Sequence, residues 1–186
     1  MNEQIIDIIK KDNLPALKLY TQRKPSWRTS TLYDEEFNLL HLVTCYNKPK
    51  LLKWLLANGL DINSRTKTGD TALHLAVEVT ALDCLKELLS HKADMELRDY
   101  VEELTPFMKA VQLKQITIVK LLANNGANIN IKDKEGNTAL QIAIDLQQTS
   151  LVDFLIESKA DIKVSNIYEY TSLHTACKRS DTVVFK

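Results

Sequence analysis

The apolar residues of this chain recur in short clusters at helical spacing. The phrase "KPKLLKWLLANGLDIN" begins at Lys48 and places four leucines on one face of a helix, and "ALDCLKELLSHKADME" repeats that arrangement from Ala81. Related phrases begin at Gln115 and at Thr149. A shorter stretch before each phrase carries small residues such as Ala76, which allow close packing. The pattern therefore predicts units of two helices, a short one followed by a more apolar one.

The short stretches define the length of the unit. They align from Asn38, Thr71, Thr105, Thr138 and Thr171, in steps of 33, 34, 33 and 33 residues. The one longer step indicates an inserted residue within "RDYVEELT". A period of this length predicts a repeat protein, in which no unit buries its apolar face alone and stacked neighbours share a continuous core.

Capping and turn residues fit this unit. Each short helix begins at a Thr or Asn, whose side-chain oxygen can accept from the first free N–H groups, and Pro106 takes the first helical position of one of them. Gly59 and Gly126 follow the second helix, where a left-handed residue is favoured. Gly69 and Gly136 then predict a tight turn that leads to the next unit.

Two units carry lysine where the others carry the first of these glycines. Lys92 and Lys159 align with Gly59 and Gly126. We expect both lysines to adopt the left-handed conformation, at a cost of about 1–2 kcal/mol relative to glycine.

The 33-residue period with the phrases "TALH" and "GANIN" resembles the ankyrin repeat over about residues 38–186. Coiled coils and other helical-pair repeats fit the period and the turn glycines less well. The resemblance implies an all-α ankyrin-repeat solenoid of helix-turn-helix pairs with β-turn fingers, with about five repeats including an N-terminal cap and an incomplete last repeat. It predicts a single domain over 1–186, divided into capping helices and a linker at 1–37, repeats at 38–70, 71–104, 105–137 and 138–170, and a partial repeat at 171–186.

The two ends depart from the repeat pattern. "IIDIIKKDNLPALKLYTQ" predicts two short helices with Pro15 opening the second, and it lacks the "TALH" phrase and the glycines, as a capping repeat would. The last unit stops within its second helix, so we expect Val183, Val184 and Phe185 to be exposed, frayed or buried against another chain. A monomer is expected unless this end self-associates.

Composition gives a weak indication of the environment. Lys and Arg number 24, Asp and Glu also 24, and this balance does not favour nucleic acid or a membrane surface as partner. No signal peptide is recognisable, and no stretch approaches the ~18 apolar residues of a membrane span. Three cysteines without CxxC spacing favour a reducing compartment. The prediction is a cytoplasmic protein, or one in a host cytoplasm if it is a secreted effector.

Histidines and cysteines are the candidates for chemistry. His41, His74 and His174 share one repeat position, but units packed about 10 Å apart cannot place all three near 2 Å from one metal. A hydrogen bond from each histidine to the neighbouring turn is the preferred interpretation. His41 with Cys45, and His174 with Cys177, could form thiolate–imidazole pairs, but no oxyanion donor loop or third orienting group accompanies them. The sequence predicts no enzyme, no metal and no cofactor.

The ankyrin resemblance implies a protein partner along the concave side, on the turn tips and the ends of the first helices. The residues it implies are Phe37, Tyr46, Arg65, Lys67, Asp70, Glu78, Val79, Arg98, Val101, Leu104, Gln112, Leu113, Lys132, Lys134, Asp145, Leu146, Tyr168 and Tyr170. The same positions also include Asp34, Glu35, Cys45, Thr68, Glu102, Glu135, Asn137, Ser165, Ile167, Lys178 and Arg179.

The ends of the first helices carry an apolar column of Tyr46, Val79, Leu113 and Leu146. An apolar column facing solvent indicates an interaction groove. The alternative interpretation is that these side chains pack on their neighbours. We predict a non-catalytic protein-binding scaffold whose partner the sequence does not name. The alternative function is the targeting or recruitment segment of a larger enzyme or secreted microbial effector, with its other domains beyond residue 186.

Overall fold

The computed structural model describes residues 2–28 and 36–178 of the chain. The chain divides into two compact units, Met1–Asp94 and Met95–Lys186. In the described ranges, helices and isolated bridges are the regular elements. The helices of the first unit are α1 (Asn2–Lys10), α2 (Leu14–Arg23), α3 (Leu39–Cys45), α4 (Pro49–Ala57), α5 (Ala72–Glu78) and α6 (Leu82–Ser90), with a 3-10 turn at Pro25–Arg28. Those of the second are α7 (Pro106–Gln112), α8 (Ile116–Asn124), α9 (Ala139–Asp145), α10 (Thr149–Glu157) and α11 (Ser172–Lys178).

The first unit stacks three helix pairs. α1 pairs with α2, α3 with α4 and α5 with α6, and α3 also packs on α1 and α5. Leu51, Leu52 and Leu55 of α4 are completely buried, as the leucine pattern predicts. The two helices predicted before the repeats are present, and Pro15 lies at the start of α2. Trp27 stacks on Trp54 with ring centroids 5.9 Å apart and so joins the 3-10 turn to α4.

The second unit repeats the arrangement with two complete pairs and one further helix. α7 packs on α8 and α9, and α9 packs on α10 and α11. Ala110, Ala143 and Ala176 are buried at the same position of α7, α9 and α11, and their small side chains let successive first helices approach closely.

The predicted caps are present at the starts of the short helices. The Asn38 and Thr105 side chains accept from the backbone N–H groups of His41 and Met108, at 3.1 and 3.3 Å. Pro106 occupies the start of α7, where its missing N–H removes no helical hydrogen bond. Capping of this kind contributes about 1 kcal/mol per helix.

The predicted left-handed positions are also confirmed. Gly59, Gly69, Gly126 and Gly136 all have φ between 78° and 92°. Lys92 and Lys159 have φ of 58° and 63°, so these lysines end α6 and α10 in the conformation that glycine adopts after α4 and α8.

The inserted residue is taken up within one turn. In the 33-residue steps the turn closes over five residues: Thr66 N–H donates to Asp70 O at 2.9 Å, and Asp133 N–H to Asn137 O at 2.9 Å. In the 34-residue step the same closure runs from Asp99 N–H to Leu104 O at 3.0 Å and therefore spans six residues. α7 still begins directly after Thr105, as α5 begins after Thr71 and α9 after Thr138.

Several predictions concern parts outside the described residues. They include the tip residues Asp34 and Glu35, the helix-end residue Arg179, and the apolar residues Val183, Val184 and Phe185. The single-domain boundaries also stay a prediction. Within the described ranges, each helix is too short to cross a membrane.

Candidate protein-interaction site

Hairpin turns project before the first helices, and we call them fingers: residues 66–70 in the first unit, and 99–104, 133–137 and 166–170 in the second. In the second unit the fingers are joined by backbone hydrogen bonds. Lys134 N–H donates to Glu102 O at 3.0 Å, and Ile167 N–H donates to Glu135 O at 2.9 Å. Because these bonds use backbone atoms, they hold the fingers in a row whatever side chains the tips carry.

A groove of about 620 Å³ lies between these fingers and the first helices of the second unit. From the fingers it is lined by Glu102, Leu104, Asp133, Lys134, Glu135, Asn137, Asn166, Tyr168 and Tyr170. From α7, α9 and α11 it is lined by Gln112, Gln141, Ile142, Asp145, Leu146, Thr175 and Lys178. The groove is thus formed by helix ends on one side and hydrogen-bonded turns on the other.

Buried polar contacts fix the groove wall. The Gln141 side chain donates from Nε2 to Tyr170 O at 2.6 Å and accepts from Thr138 N–H at 3.0 Å. The Asn166 amide donates to Asn137 Oδ1 at 2.8 Å. One glutamine therefore caps its own helix and holds the next finger.

The acidic groups of the groove have different environments. Asp133 accepts from the backbone N–H of Asn137 at 2.7 Å and of Glu135 at 2.9 Å, and its burial raises the pKa of the carboxyl above its usual value. Glu102 accepts from Gln112 Nε2 at 2.9 Å. Asp133 thus closes the finger, whereas Glu102 lies exposed at the edge of the groove.

Seven residues of the predicted set in the second unit come together in this groove: Leu104, Gln112, Lys134, Asp145, Leu146, Tyr168 and Tyr170. Four others do not line it: Arg98, Val101, Leu113 and Lys132. Leu104 is only 3% exposed, so it contributes little accessible surface to the groove that it lines. It is the last residue of the enlarged finger, where the chain turns into the buried N-terminus of α7.

The predicted residues of the first unit have mixed exposure. Lys67, Glu78 and Val79 are exposed. Phe37 is half-buried and edge-on to the His41 ring, and Tyr46 lies with its ring 5.7 Å from Lys10 Nζ.

The remaining two predicted residues of the first unit lie at its finger, Arg65 directly before it and Asp70 as its last residue. Arg65 donates from Nη1 to Gly69 O at 3.0 Å. Asp70 is buried and accepts from Thr68 Oγ1 at 2.7 Å, so its carboxylate stabilises the turn instead of facing solvent.

His41 makes the predicted bond to the neighbouring turn. Its Nδ1 accepts from Asn38 N–H at 3.2 Å, which leaves Nε2 to donate to Ser64 O at 3.0 Å. Burial lowers the pKa of His41, and the Ser64 carbonyl and Asp70 oppose this lowering. The neutral ring therefore caps its own helix and bonds to the neighbouring turn, as the Gln141 side chain does.

Two cysteines, the half-buried Cys45 and the buried Cys84, are weak nucleophiles. Burial, reinforced by Glu78, raises the pKa of Cys45 to about 11. Burial and the nearby Asp83 raise that of Cys84 to about 12. A thiolate at neutral pH is disfavoured at both positions. In the described ranges no three His, Cys, Asp or Glu side chains group as metal ligands would.

Five groove residues were missing both from the predicted set and from the wider list of finger and helix-end positions: Asp133, Gln141, Ile142, Asn166 and Thr175. Helical spacing is the signal for two of them, because Ile142 precedes Leu146 by four residues and Thr175 precedes Lys178 by three. The other three hold the fingers through contacts that the sequence does not show.

Comparison with known proteins places the chain in a family. The family model of ankyrin repeats (three copies) matches residues 6–99, 40–133 and 107–185. The chain therefore belongs to the ankyrin-repeat family, a protein–protein interaction fold, and it has the all-α ankyrin-repeat solenoid fold.

Similar proteins come from viruses and animals. An ankyrin repeat protein of Acanthamoeba polyphaga mimivirus is 30% identical over 125 residues, covering 67% of this chain and 16% of that protein. The B-cell lymphoma 3 protein homolog of Mus musculus is 31% identical over 144 residues, covering 75% of this chain and 32% of that protein. This chain thus spans less than a third of the length of these relatives.

A solved structure with the same fold is the ankyrin repeat domain of Bcl-3, whose title describes it as a unique member of the IkappaB protein family. It superposes with a TM-score of 0.84 at 28% identity and covers 95% of this chain and 80% of that one.

Proposed function

We propose that this chain is a non-catalytic scaffold that binds another protein through its fingers and the ends of its first helices. The observation that carries the proposal is the groove of the second unit, where finger residues such as Tyr168 and helix-end residues such as Leu146 line one concavity of about 620 Å³. Side chains of large area that are held on rigid backbone are suited to binding, because little conformational freedom is lost on association.

Exposed apolar side chains at the helix ends support the same proposal. Val79 in the first unit and Leu113 in the second are exposed although they are large and apolar. Tyr46, Val79, Leu113 and Leu146 are the C-cap residues of α3, α5, α7 and α9, and all four have φ between −80° and −92°. Ordinary residues adopt this backbone, so the side chains can be exchanged without backbone strain.

The test separates binding from folding. A partner is first isolated by pull-down with mass spectrometry and then titrated against the wild-type chain and against Leu113→Ser combined with Leu146→Ser. We expect the double variant to melt close to wild type, because Leu113 is exposed, Leu146 is only half-buried, and substitutions near the surface usually change stability by less than about 0.5 kcal/mol. We expect its affinity to fall at least tenfold.

A matched control comes from α10 and the loop after it. Ile156→Ser combined with Ile162→Ser removes two exposed apolar side chains of the second unit, but neither residue lies on a finger or at the end of a first helix. This control should bind as wild type does. Loss of folding in the Leu113/Leu146 variant, with normal binding by its folded fraction, would assign these leucines to the core and contradict the proposed site.

A second candidate is the recruitment segment of a longer enzyme or effector. The observation in its favour is that the chain spans only 16% and 32% of the two relatives described above. The full reading frame tests it, since a stop codon directly after Lys186 removes this candidate. In either case the balanced charge and the cysteine pattern support a cytoplasmic location, which fluorescence microscopy of the tagged chain tests.

A further inference from the structure

The groove of the second unit carries an excess of negative charge. Among the residues that the structure describes, its lining includes four carboxylates and two ammonium groups: Glu102, Asp133, Glu135 and Asp145 against Lys134 and Lys178. The whole chain, by contrast, has a formal charge of zero. The groove is therefore more acidic than the composition of the protein indicates.

Both lysines of the groove are directed at groups of their own unit. Lys134 Nζ donates to Val101 O at 3.4 Å, and Lys178 Nζ lies 5.3 Å from the centroid of the Tyr170 ring. An ammonium bonded to a carbonyl oxygen or placed over a ring leaves the neighbouring carboxylates only partly compensated.

A tyrosine ring in the groove already holds a cation. The Lys178 ammonium and the Tyr170 ring stand at the distance of a cation–π contact. Tyr168, two residues earlier on the same finger, is 60% exposed and lines the same groove. Its finger is bonded through Ile167 N–H to Glu135 O, so the backbone of an acidic residue is next to that of this tyrosine.

We propose that the groove of the second unit binds a Lys- or Arg-rich segment of a partner protein, with one cationic side chain against the Tyr168 ring and others beside Glu102 and Glu135. This inference rests on the proposed function, because it names the chemistry of the partner at the same site. Charge complementarity is what selects this occupant: an acidic segment meets net repulsion in the groove, and a wholly apolar one gains nothing from the net negative charge of the lining.

The experiment titrates the full chain with fluorescein-labelled nona-arginine and, in parallel, nona-glutamate. Nona-arginine should bind with an affinity that falls as salt rises from 50 to 300 mM, because the screening length shortens, and nona-glutamate should not bind. Glu102→Gln combined with Glu135→Gln should weaken nona-arginine binding about three- to tenfold. Tyr168→Leu should weaken it about two- to fivefold, whereas Tyr168→Phe, which keeps a ring, should stay within about twofold of wild type.

The Lys178→Met substitution is expected to strengthen nona-arginine binding, whereas the substitutions above weaken it. It removes the internal cation from the Tyr170 ring and one positive charge from the groove, so nona-arginine should bind more tightly. A role of these residues in folding alone does not produce tighter binding, and the melting temperature is measured beside each titration.

Two controls match the charge and the ring outside the groove. Asp153→Asn combined with Glu157→Gln removes two charges from α10, and Tyr100→Leu removes an exposed ring from another finger of the same unit. Neither should change the affinity by more than about twofold.

The outcomes separate this inference from the function on which it rests. Three results would each contradict a cationic occupant. They are the absence of nona-arginine binding, binding of nona-glutamate instead, and equal effects of the groove and control variants. If a natural partner responds to Leu113→Ser with Leu146→Ser but not to Glu102→Gln with Glu135→Gln, the scaffold function stands and the cationic occupant is wrong. If the partner ignores the leucine pair as well, the proposed site itself fails.

Discussion

Individual backbone conformations affect stability at several non-glycine residues. Lys92 ends α6 with φ of 58°, its N–H donates to Leu89 O at 3.0 Å, and the following Ala93 N–H donates to Leu88 O at 3.0 Å. The left-handed conformation costs about 1–2 kcal/mol for a residue with a Cβ, and glycine loses about 0.5–1 kcal/mol of this advantage through its freedom in the unfolded chain.

Lys92→Gly is therefore expected to raise the melting temperature by about 1–4 °C, measured by circular dichroism. Lys86→Gly, which places the same substitution inside α6, should lower stability by about 1 kcal/mol. A lower melting temperature for Lys92→Gly would show that the side chain makes contacts that outweigh the strain.

Acid should destabilise the protein through His41. Because burial lowers its pKa in the folded state, the unfolded chain binds more protons between that lowered pKa and the unfolded value of about 6.5. Stability from His41 is thus complete above about pH 6.5 and is lost as the pH falls towards the folded pKa. The Ser64 carbonyl and Asp70, which favour the charged ring, reduce this loss without reversing it.

We expect His41→Gln to melt with a weaker dependence on pH between 7.5 and 5. Gln141 shows that an amide can make both bonds at the same position of the repeat. The measurement is a series of melting curves for both proteins, and parallel curves would contradict the assignment.

At the scale of the element, a glycine in a finger meets two constraints, a positive φ and the close approach of the next finger, whereas a glycine after a helix meets only the first. A Cβ on Gly136 would lie 3.0 Å from Ile167 N and 3.2 Å from Asn166 Cα, in addition to the strain of φ +78°. A Cβ on Gly126, after α8, would have no atom within 4 Å and only the strain of φ +92°.

Gly126→Ala should therefore cost about 1–2 kcal/mol, and Gly136→Ala should cost more because two fingers must separate. Urea unfolding of the two variants measures the difference. Equal costs would mean that the fingers move apart freely and that the groove wall is not rigid.

The elements that follow local rules could be predicted from the sequence. The caps at Asn38 and Thr105, the left-handed Lys92 and the two N-terminal helices depend on neighbouring residues, and all were predicted correctly. The burial of Leu104, the inward carboxylate of Asp70 and the Gln141 contact to Tyr170 O depend on the fold of the turns and on the next repeat. The sequence pattern marks which residues occupy a finger, but not which finger side chains turn inward.

At the scale of the whole molecule, one repeat position has very different burial along the chain. Leu40, Leu73, Phe107 and Leu140 are no more than 1% exposed, whereas Leu173 at the same position of α11 is 56% exposed. In a repeat protein the energy of a side chain depends on the neighbouring repeats that cover it.

Leu140→Ala is accordingly expected to cost about 2–5 kcal/mol, and Leu173→Ala less than about 0.5 kcal/mol. Both substitutions lie in short helices and introduce a good helix former, so helix propensity does not explain the difference. Equilibrium unfolding in urea gives both values. A large cost at Leu173 would show that another part of the protein covers it in solution.

The six-residue finger from Asp99 to Leu104 shows where this chain can grow. An added residue there leaves the closing bond from Asp99 N–H to Leu104 O and the start of α7 intact, and it brings Tyr100 and Val101 out to the solvent. A longer or shorter tip at this point thus changes the exposed surface of the second unit while the start of α7 stays where it is.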